Sequence, residues 1–300
     1  MISTADPAAF VERTRVAVGG VIDRWCARLR SEAPGRVTEA MVYSLTVPGK
    51  RLRPALVMAA YSGLGGTGEA AELAAAVEIV HTYSLVHDDL PCMDDDDLRR
   101  GRPTTHRRFD VPTATEAGFR LVPLSARVLA AGSRRLSLSR ARSRRVAVEL
   151  YRAAGAGGMI GGQVLDLEAE GTEISQDSLV LIHARKTGAL ITASAVIGAV
   201  AAGGDDEQVE AVRDFGHDVG LAFQIVDDVL DATRTSDELG KTAGKDAAQR
   251  KASFAEVVGA DAALADARAR ASRAVARLRQ HRIDSNLLAG LAQVVVERQH

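Results

Sequence analysis

Lysine is nearly missing from this 300-residue chain: of 38 basic residues only Lys50, Lys186, Lys241, Lys245 and Lys251 are lysines, and the other 33 are arginines. A chain that uses arginine as its everyday surface cation keeps lysine for positions where a compact point charge serves better than a planar fork. Cysteine is scarcer still. Cys26 and Cys92 are the only two, which excludes a disulfide framework and paired Cys-x-x-Cys zinc knuckles and fits a reducing cytoplasm. All eight prolines lie at or before Pro123, so the long remainder suits uninterrupted helices better than a turn-rich β architecture. A net charge of −1 gives no bulk attraction to nucleic acid or to anionic membranes. The opening stretch MISTADPAAFVERTR lacks the basic start and apolar run of a secretory signal. The longest apolar stretch, residues 189–202, falls short of the roughly 20 residues needed to span a bilayer and reads as a buried helix.

What is present is ordinary globular composition, 46% hydrophobic and 26% charged, with apolar residues at three- and four-residue intervals. GEAAELAAAVEIVHTYSLVHDD and DDEQVEAVRDFGHDVGLAFQIVDDVLD carry that period and few β-branched runs, which predicts amphipathic or buried helices. Breaks fall at Pro48-Gly49, GLGGTG, Gly101 to Pro103, Gly171, Gly203-Gly204 and LGKTAGKD, giving roughly ten or more helices joined by short loops. No linker or fixed-period repeat divides the chain, so the expectation is a single all-α domain over residues 1–300. The glycine cluster GAGGMIGG at 155–162 fits neither the dinucleotide-binding nor the P-loop spacing, and GKT at 240–242 has Thr235 where a P-loop needs its first glycine. Close helix packing through small residues explains the cluster better.

Two aspartate groups carry the chemistry. HDDLPCMDDDDLRR puts Asp88, Asp89, Asp94, Asp95, Asp96 and Asp97 into ten positions, and DDVLD supplies Asp227, Asp228 and Asp231. Gln224, Asp227 and Asp231 share one helix face, as do His81 and Asp88. Carboxylates about 5 Å apart in a partly desolvated cleft repel by roughly 3 kcal/mol a pair, so a cation is required. Oxygen donors with retained water favour magnesium, which takes one or two carboxylates plus substrate phosphates. Neither segment has the ligand pattern of a calcium-binding EF-hand. A solvated acidic surface is the usual explanation of one such run, and two runs that both close apolar helices make it a poor one here.

Cations accompany each group: Arg99 and Arg100 after the first, Lys241, Lys245 and Lys251 after the second, with Lys50, Arg51 and Arg53 in GKRLRP and Lys186 in ARKTGAL. Magnesium bridging carboxylates to a diphosphate, with arginine and lysine on the remaining oxygens, makes a coherent cage for phosphate leaving-group chemistry.

In order, GKRLRP, HTYSLVHDDLPCMDDDDLRRGRPTTH, GGQ at 161–163, KTG, FQIVDDVLD and LGKTAGKD resemble the trans-isoprenyl diphosphate synthases (the polyprenyl synthetase family), most closely the bacterial farnesyl diphosphate synthases. The resemblance covers about residues 47–258 and the closing VVVERQ. It implies an isoprenoid synthase fold, with long helices around a deep apolar cavity, in a homodimer. Carried over by position, Asp88, Asp94 and Asp227 would hold several magnesium ions on an allylic diphosphate, with Asp89, Asp228 and Asp231 assisting directly or through water. Arg99, Lys186 and Lys241 would grip that diphosphate, while Lys50, Arg53, His81 and Arg100 would hold isopentenyl diphosphate. Thr187 and Gln224 would place their oxygens beside the developing allylic cation. The implied reaction uses no protein nucleophile: the allylic C–O bond ionises, the isopentenyl double bond attacks, and a proton leaves.

In this family the residues four and five before the first aspartate, here Ser84 and Tyr83, limit product length. An aromatic at the fifth and the two-residue Pro91-Cys92 insertion resemble the farnesyl (C15) enzymes, with a geranylgeranyl (C20) synthase as the near alternative. One stretch departs: Phe119 stands where an aspartate is expected in the next helix, and Pro123 is positioned to kink it. Relatives use that stretch in the tail pocket, so the departure bears on product length. His87 and Cys92 read as structural, Asp95 to Asp97 as supports that cap a helix or orient Arg99, and Arg107 and Arg108 as solvated. Two rival functions remain. A class I terpene cyclase needs no second diphosphate site, against which GKRLRP, His81 and Arg99-Arg100 stand; a silent regulatory subunit would have lost aspartates that are present here.

Overall fold

The computed structural model describes residues 6–172, 174–233 and 259–297; Lys241, Lys245 and Lys251 lie outside them, as does the side chain of Asp231. The chain begins with α1 (Pro7–Glu32), whose first turn is capped by Asp6 accepting from the Ala8 N–H at 2.9 Å, followed by proline at the first helical position. Phe10, Val18, Val21, Ile22, Trp25 and Leu29 recur on its buried face. Then come α2 (Arg36–Leu45), α3 (Leu52–Gly63) and α4 (Ala71–Asp88). A two-stranded hairpin, β1 (Leu98–Arg99) and β2 (Arg102–Pro103), pairs Arg99 with Arg102 and is the only sheet among the described residues.

Next follow α5 (Thr105–Arg108), α6 (Val111–Arg135), α7 (Arg140–Ala154), α8 (Met159–Ala169) and α9 (Gln176–His183). A π-helical turn, Ala184–Gly188, leads without a break into α10 (Ala189–Ala202). The remainder is α11 (Asp206–Thr233), α12 (Ala260–Gln280) and α13 (Asn286–Val296). Asp110, Ser139 and Ser175 cap α6, α7 and α9 by each accepting from the backbone N–H three residues on.

Two helices are buried almost all round and organise the rest. Leu73 to Val80 of α4 and Leu190 to Ala201 of α10 show almost no solvent-facing side, as a helix without a polar face must. Helix α4 packs on α6, α3 and α1; α10 packs on α3, α11 and α7; α12 closes over α11. One contiguous apolar core runs from Phe10 to Val295, the architecture of a single all-α bundle.

Two helices run further than their sequence patterns set out. The helix through the π-turn, Gln176–Ala202, is 27 residues long and apolar enough by length and composition to cross a membrane, longer than the apolar run alone. Its apolar half is core: Leu190, Ile191, Val196 and Ile197 are fully buried inside the bundle. And α6 continues through Pro123 as one helix. Pro123 sits on the exposed face, where the carbonyl that its missing N–H leaves unpaired can turn to water.

Candidate active site

The C-terminal ends of α4 and α11 and the π-turn converge on one cavity of about 760 Å³. Twelve of the residues singled out from the sequence line it: Lys50, Arg53, His81, Ser84, Asp88, Asp94, Arg99, Arg100, Lys186, Thr187, Gln224 and Asp227. Asp88 and Asp94 are six apart, beyond a helical repeat, and a compact loop brings them together. The Asp94 N–H donates to the Asp88 carbonyl at 2.9 Å, while the Met93 and Asp95 N–H groups both donate to the Leu90 carbonyl. The Pro91-Cys92 insertion is the outward bend of that loop.

Three of the five described non-glycine residues with positive φ belong to this site: Arg51 at 51°, Asp95 at 47° and Arg100 at 54°. A left-handed conformation at such residues is uncommon and costs of order 1 kcal/mol or more. Arg100 and Gly101 together make the turn of the hairpin, which aims Arg99 and Arg100 in different directions. Arg100 lies across the backbone of Gly49 and donates to the Pro48 carbonyl at 2.9 Å. A Cβ at residue 49 would stand 2.2 Å from its Nη1, so a side chain there would push the Arg100 guanidinium out of this position.

Arg99 is already engaged. Its Nε donates to Asp89 at 2.9 Å and its Nη2 to Asp96 at 3.0 Å. Asp89, 3% exposed, is therefore a brace for Arg99, and Asp228 likewise lies off the cavity wall. The middle aspartates divide the same work: Asp96 holds Arg99 through its carboxylate and the Thr104 hydroxyl through its carbonyl, while Asp95 and Asp97 both pair with Arg107. Arg107, expected to be merely solvated, ties this loop to α5.

Across the cavity the π-turn presents Lys186 and Thr187 on the same wall; single π-turns of this kind often mark functional sites. Lys186 donates to Asp166 on α8 at 2.6 Å. Its backbone presses on Gly162, where a Cβ would stand 2.1 Å from the Lys186 nitrogen, which accounts for the second glycine of GGQ. The Thr187 hydroxyl donates to Gln224 Oε1 at 2.9 Å and Gln224 Nε2 donates to Asp228 at 3.0 Å, a chain that fixes the orientation of the Gln224 amide.

Burial dominates the electrostatics. It pushes the Asp88 carboxyl up to about 7, with Asp94 adding to the rise and Lys186 opposing it. Burial also raises Asp89 to about 6 against the pull of Arg99. Arg53 is lowered to about 10 by burial, with Glu78 opposing. His81 is driven well below its usual value by burial and then by Arg53. It therefore stays neutral, and because Arg53 can only donate, His81 Nε2 accepts across their 3.3 Å contact.

A buried carboxylate that resists ionisation beside a second one is a site that favours a cation. Among the described residues no cluster of three His, Cys, Asp or Glu forms a cage by itself. Asp88, Asp94 and Asp227 are the aspartates on the wall, and they would offer hard oxygen donors to magnesium, an ion that commonly adds water and phosphate oxygens to such ligands.

Arg51, Glu78, Asp166 and Gln163 carry no role assigned from the sequence. Arg51 and Glu78 form a buried ion pair, 8% and 3% exposed at their side chains, on the cavity wall. Gln163 is buried with neither amide atom hydrogen-bonded. Tyr83 does not line the cavity; its ring stands edge-on to His87 at 4.9 Å, and the His87 Nε2–H donates to the Thr115 carbonyl on α6. No residue of α6 lines the cavity either, and Phe119 is 68% exposed, so the departure seen in the sequence lies away from the wall.

The sequence model of the polyprenyl synthetase family matches residues 34–287. This chain belongs to that family. Among curated family members, the chain is 46% identical over 230 residues to the heterodimeric geranylgeranyl pyrophosphate synthase large subunit 1, chloroplastic, of Arabidopsis thaliana, covering 75% of this chain and 62% of that one. It is 45% identical to a chloroplastic geranylgeranyl pyrophosphate synthase of Catharanthus roseus, covering 76% and 64%. The chain thus spans somewhat under two thirds of the length of these relatives. A solved family structure, the Helicobacter pylori geranyltransferase complexed with magnesium and isoprenyl diphosphate, superposes with a TM-score of 0.82 at 31% identity, covering 99% of this chain and 97% of that one.

Proposed function

We propose that this chain joins isopentenyl diphosphate head to tail to an allylic diphosphate and carries the product to twenty carbons, geranylgeranyl diphosphate. The observation that carries the reaction is a single cavity whose wall combines Asp88, Asp94 and Asp227 with two sets of cations, which the resemblance assigns as Lys186 and Arg99 for the allylic diphosphate and Lys50, Arg53 and Arg100 for the isopentenyl one. Two diphosphates need two such sets, whereas a cyclase acting on one substrate needs one.

Asp88, Asp94 and Asp227 would hold magnesium, with Asp231 as a further ligand. Bound there, magnesium neutralises a diphosphate and makes it a better leaving group. Lys186 and Arg99, with Lys241, orient the allylic diphosphate; Lys50, Arg53, His81 and Arg100 hold the isopentenyl one. The hydrogen-bonded oxygens of Thr187 and Gln224 face the allylic carbon as it gains positive charge, a preorganised electrostatic role. Apolar neighbours such as Leu85, Met159 and Phe223 keep water from quenching the cation.

The twenty-carbon product draws support from the plant relatives, which are more similar in sequence than the geranyltransferase. Ser84, a small residue, lines the cavity while the Tyr83 ring stands against His87. Tyr83 and the Pro91-Cys92 insertion favour the fifteen-carbon reading. Incubating purified protein with Mg²⁺, isopentenyl diphosphate and a C5, C10 or C15 allylic partner, then sizing the products, separates the readings. The expected result is that all three partners are elongated to C20. A halt at C15 makes it a farnesyl synthase, no incorporation of isopentenyl units removes the synthase reading, and a cyclic hydrocarbon from one substrate alone indicates a cyclase. We further read the protein as a cytoplasmic homodimer, which sedimentation of the purified protein and fractionation of its host would test.

A further inference from the structure

The isopentenyl side of the cavity concentrates positive charge in a buried space. Arg51, Arg53 and Arg100 stand within electrostatic reach of one another, and Arg53 and Arg100 each have their proton affinity lowered, first by burial and then also by a neighbouring arginine. Guanidinium groups so placed repel strongly at reduced dielectric and would splay apart or draw in solvent unless an anion stood among them. Glu78 is that anion. It lies on α4 one turn before His81, 2% exposed, accepts from Arg51 Nη1, and opposes the desolvation of both Arg53 and Arg100. Arg51 is fixed further by donating from Nη2 to the Val47 carbonyl at 3.2 Å and by its left-handed backbone, which starts α3 directly ahead of Arg53.

We infer that Glu78 and Arg51 are a positioning pair for the second diphosphate subsite. Glu78 fixes Arg51, and with it the arrangement of Arg53 and Arg100, before substrate arrives, so that Arg53, His81 and Arg100 meet the incoming isopentenyl diphosphate without rearranging. Neither residue transfers a proton or touches the reacting carbons, so both are positioning residues. The inference rests on the proposed prenyl transfer and names the residues that preorganise one half of it. Two electrostatic outcomes compete: removing an anion makes the pocket more positive, which alone would tighten diphosphate binding, but it also releases the guanidinium groups from their arrangement. Because Glu78 binds Arg51 directly from beneath, with almost no exposure to solvent, loss of the arrangement dominates.

The test uses the full-length protein, with isopentenyl diphosphate and the allylic diphosphate varied separately. Wild-type activity comes first, since absence of prenyl transfer there removes the proposed function and this inference with it. With wild type active, Glu78→Gln should raise KM for isopentenyl diphosphate by roughly ten- to a hundredfold, the worth of a charge-assisted hydrogen bond, and leave KM for the allylic partner within about twofold. Replacing the pair by apolar residues, Arg51→Met with Glu78→Leu, guards against misfolding, because a buried ion pair exchanged for apolar groups of similar volume often keeps or gains stability. That double variant should keep the wild-type melting temperature and show the same selective rise. An unchanged or lowered KM for isopentenyl diphosphate, an equal rise for both substrates, or loss of folding in both variants would overturn the inference, the last by marking the pair as a core element.

Discussion

Asp88 is pushed up to about 7 by burial and by Asp94, so in the free protein it is a reluctant anion that a divalent cation would stabilise. Asp88→Ala and Asp227→Ala are each expected to lower kcat on the order of a thousandfold or more at saturating Mg²⁺, the scale seen when a preorganised electrostatic group is removed from a leaving-group site. Steady-state turnover measures it, and near-wild-type rates in both would mean the cage belongs to other residues. His81 gives a prediction in pH. Its folded value lies well below the ordinary 6.5 because of burial and Arg53, so the unfolded chain binds its proton more readily. The stability it contributes is present above about 6.5 and is lost as the pH falls below that. His81→Gln should therefore lose less melting temperature than wild type between about pH 7 and 5, as thermal unfolding across that range would read.

At the scale of elements, Pro123 inside α6 tests how the helix tolerates its breaker. Pro123→Ala restores a backbone donor on an exposed face and should stabilise by about 1–3 kcal/mol, seen as a higher denaturant midpoint. Because no residue of α6 lines the cavity, the product length should stay as it was. The same element shows where sequence reading stops. Asp88, Lys186 and Gln224 could be assigned because their neighbours in the chain form motifs of fixed spacing, and α4 and α11 because their apolar period is strong. Glu78 and Asp166 could not, since each acts on a residue of another element and neither stands in a motif of fixed spacing. The π-turn was hidden for a different reason: one added residue in a helix leaves the composition unchanged and moves only which side chains face the wall. Tyr83 was assigned to the cavity by its place before Asp88, yet its ring stands edge-on to His87, which is itself bonded to the Thr115 carbonyl.

On the scale of the whole molecule, the proposed substrate and cation sites lie on helices that share one core, so their occupation should be felt throughout. Mg²⁺ with inorganic pyrophosphate, supplied at about a hundredfold over its Kd, should stabilise the fold by roughly 2.7 kcal/mol, which scanning calorimetry reads as a rise in Tm of several degrees. Mg²⁺ alone should shift Tm much less, because carboxylates satisfy only part of its oxygen shell. Asp88→Asn should abolish most of the joint shift, and an undiminished shift in that variant would place the pair of ligands elsewhere.

The loop that returns Asp94 to Asp88 is closed by backbone hydrogen bonds and turns its Pro91-Cys92 bend outward. Cys92 is exposed, whereas Cys26 is buried and its thiol is pushed up to about 11 by that burial. With no other cysteine in the chain, a thiol-reactive fluorophore would attach at one place, two residues from Asp94. The wild-type sequence thus comes with its own optical reporter, able to time the arrival of metal and diphosphate in a stopped-flow cell before any product has formed.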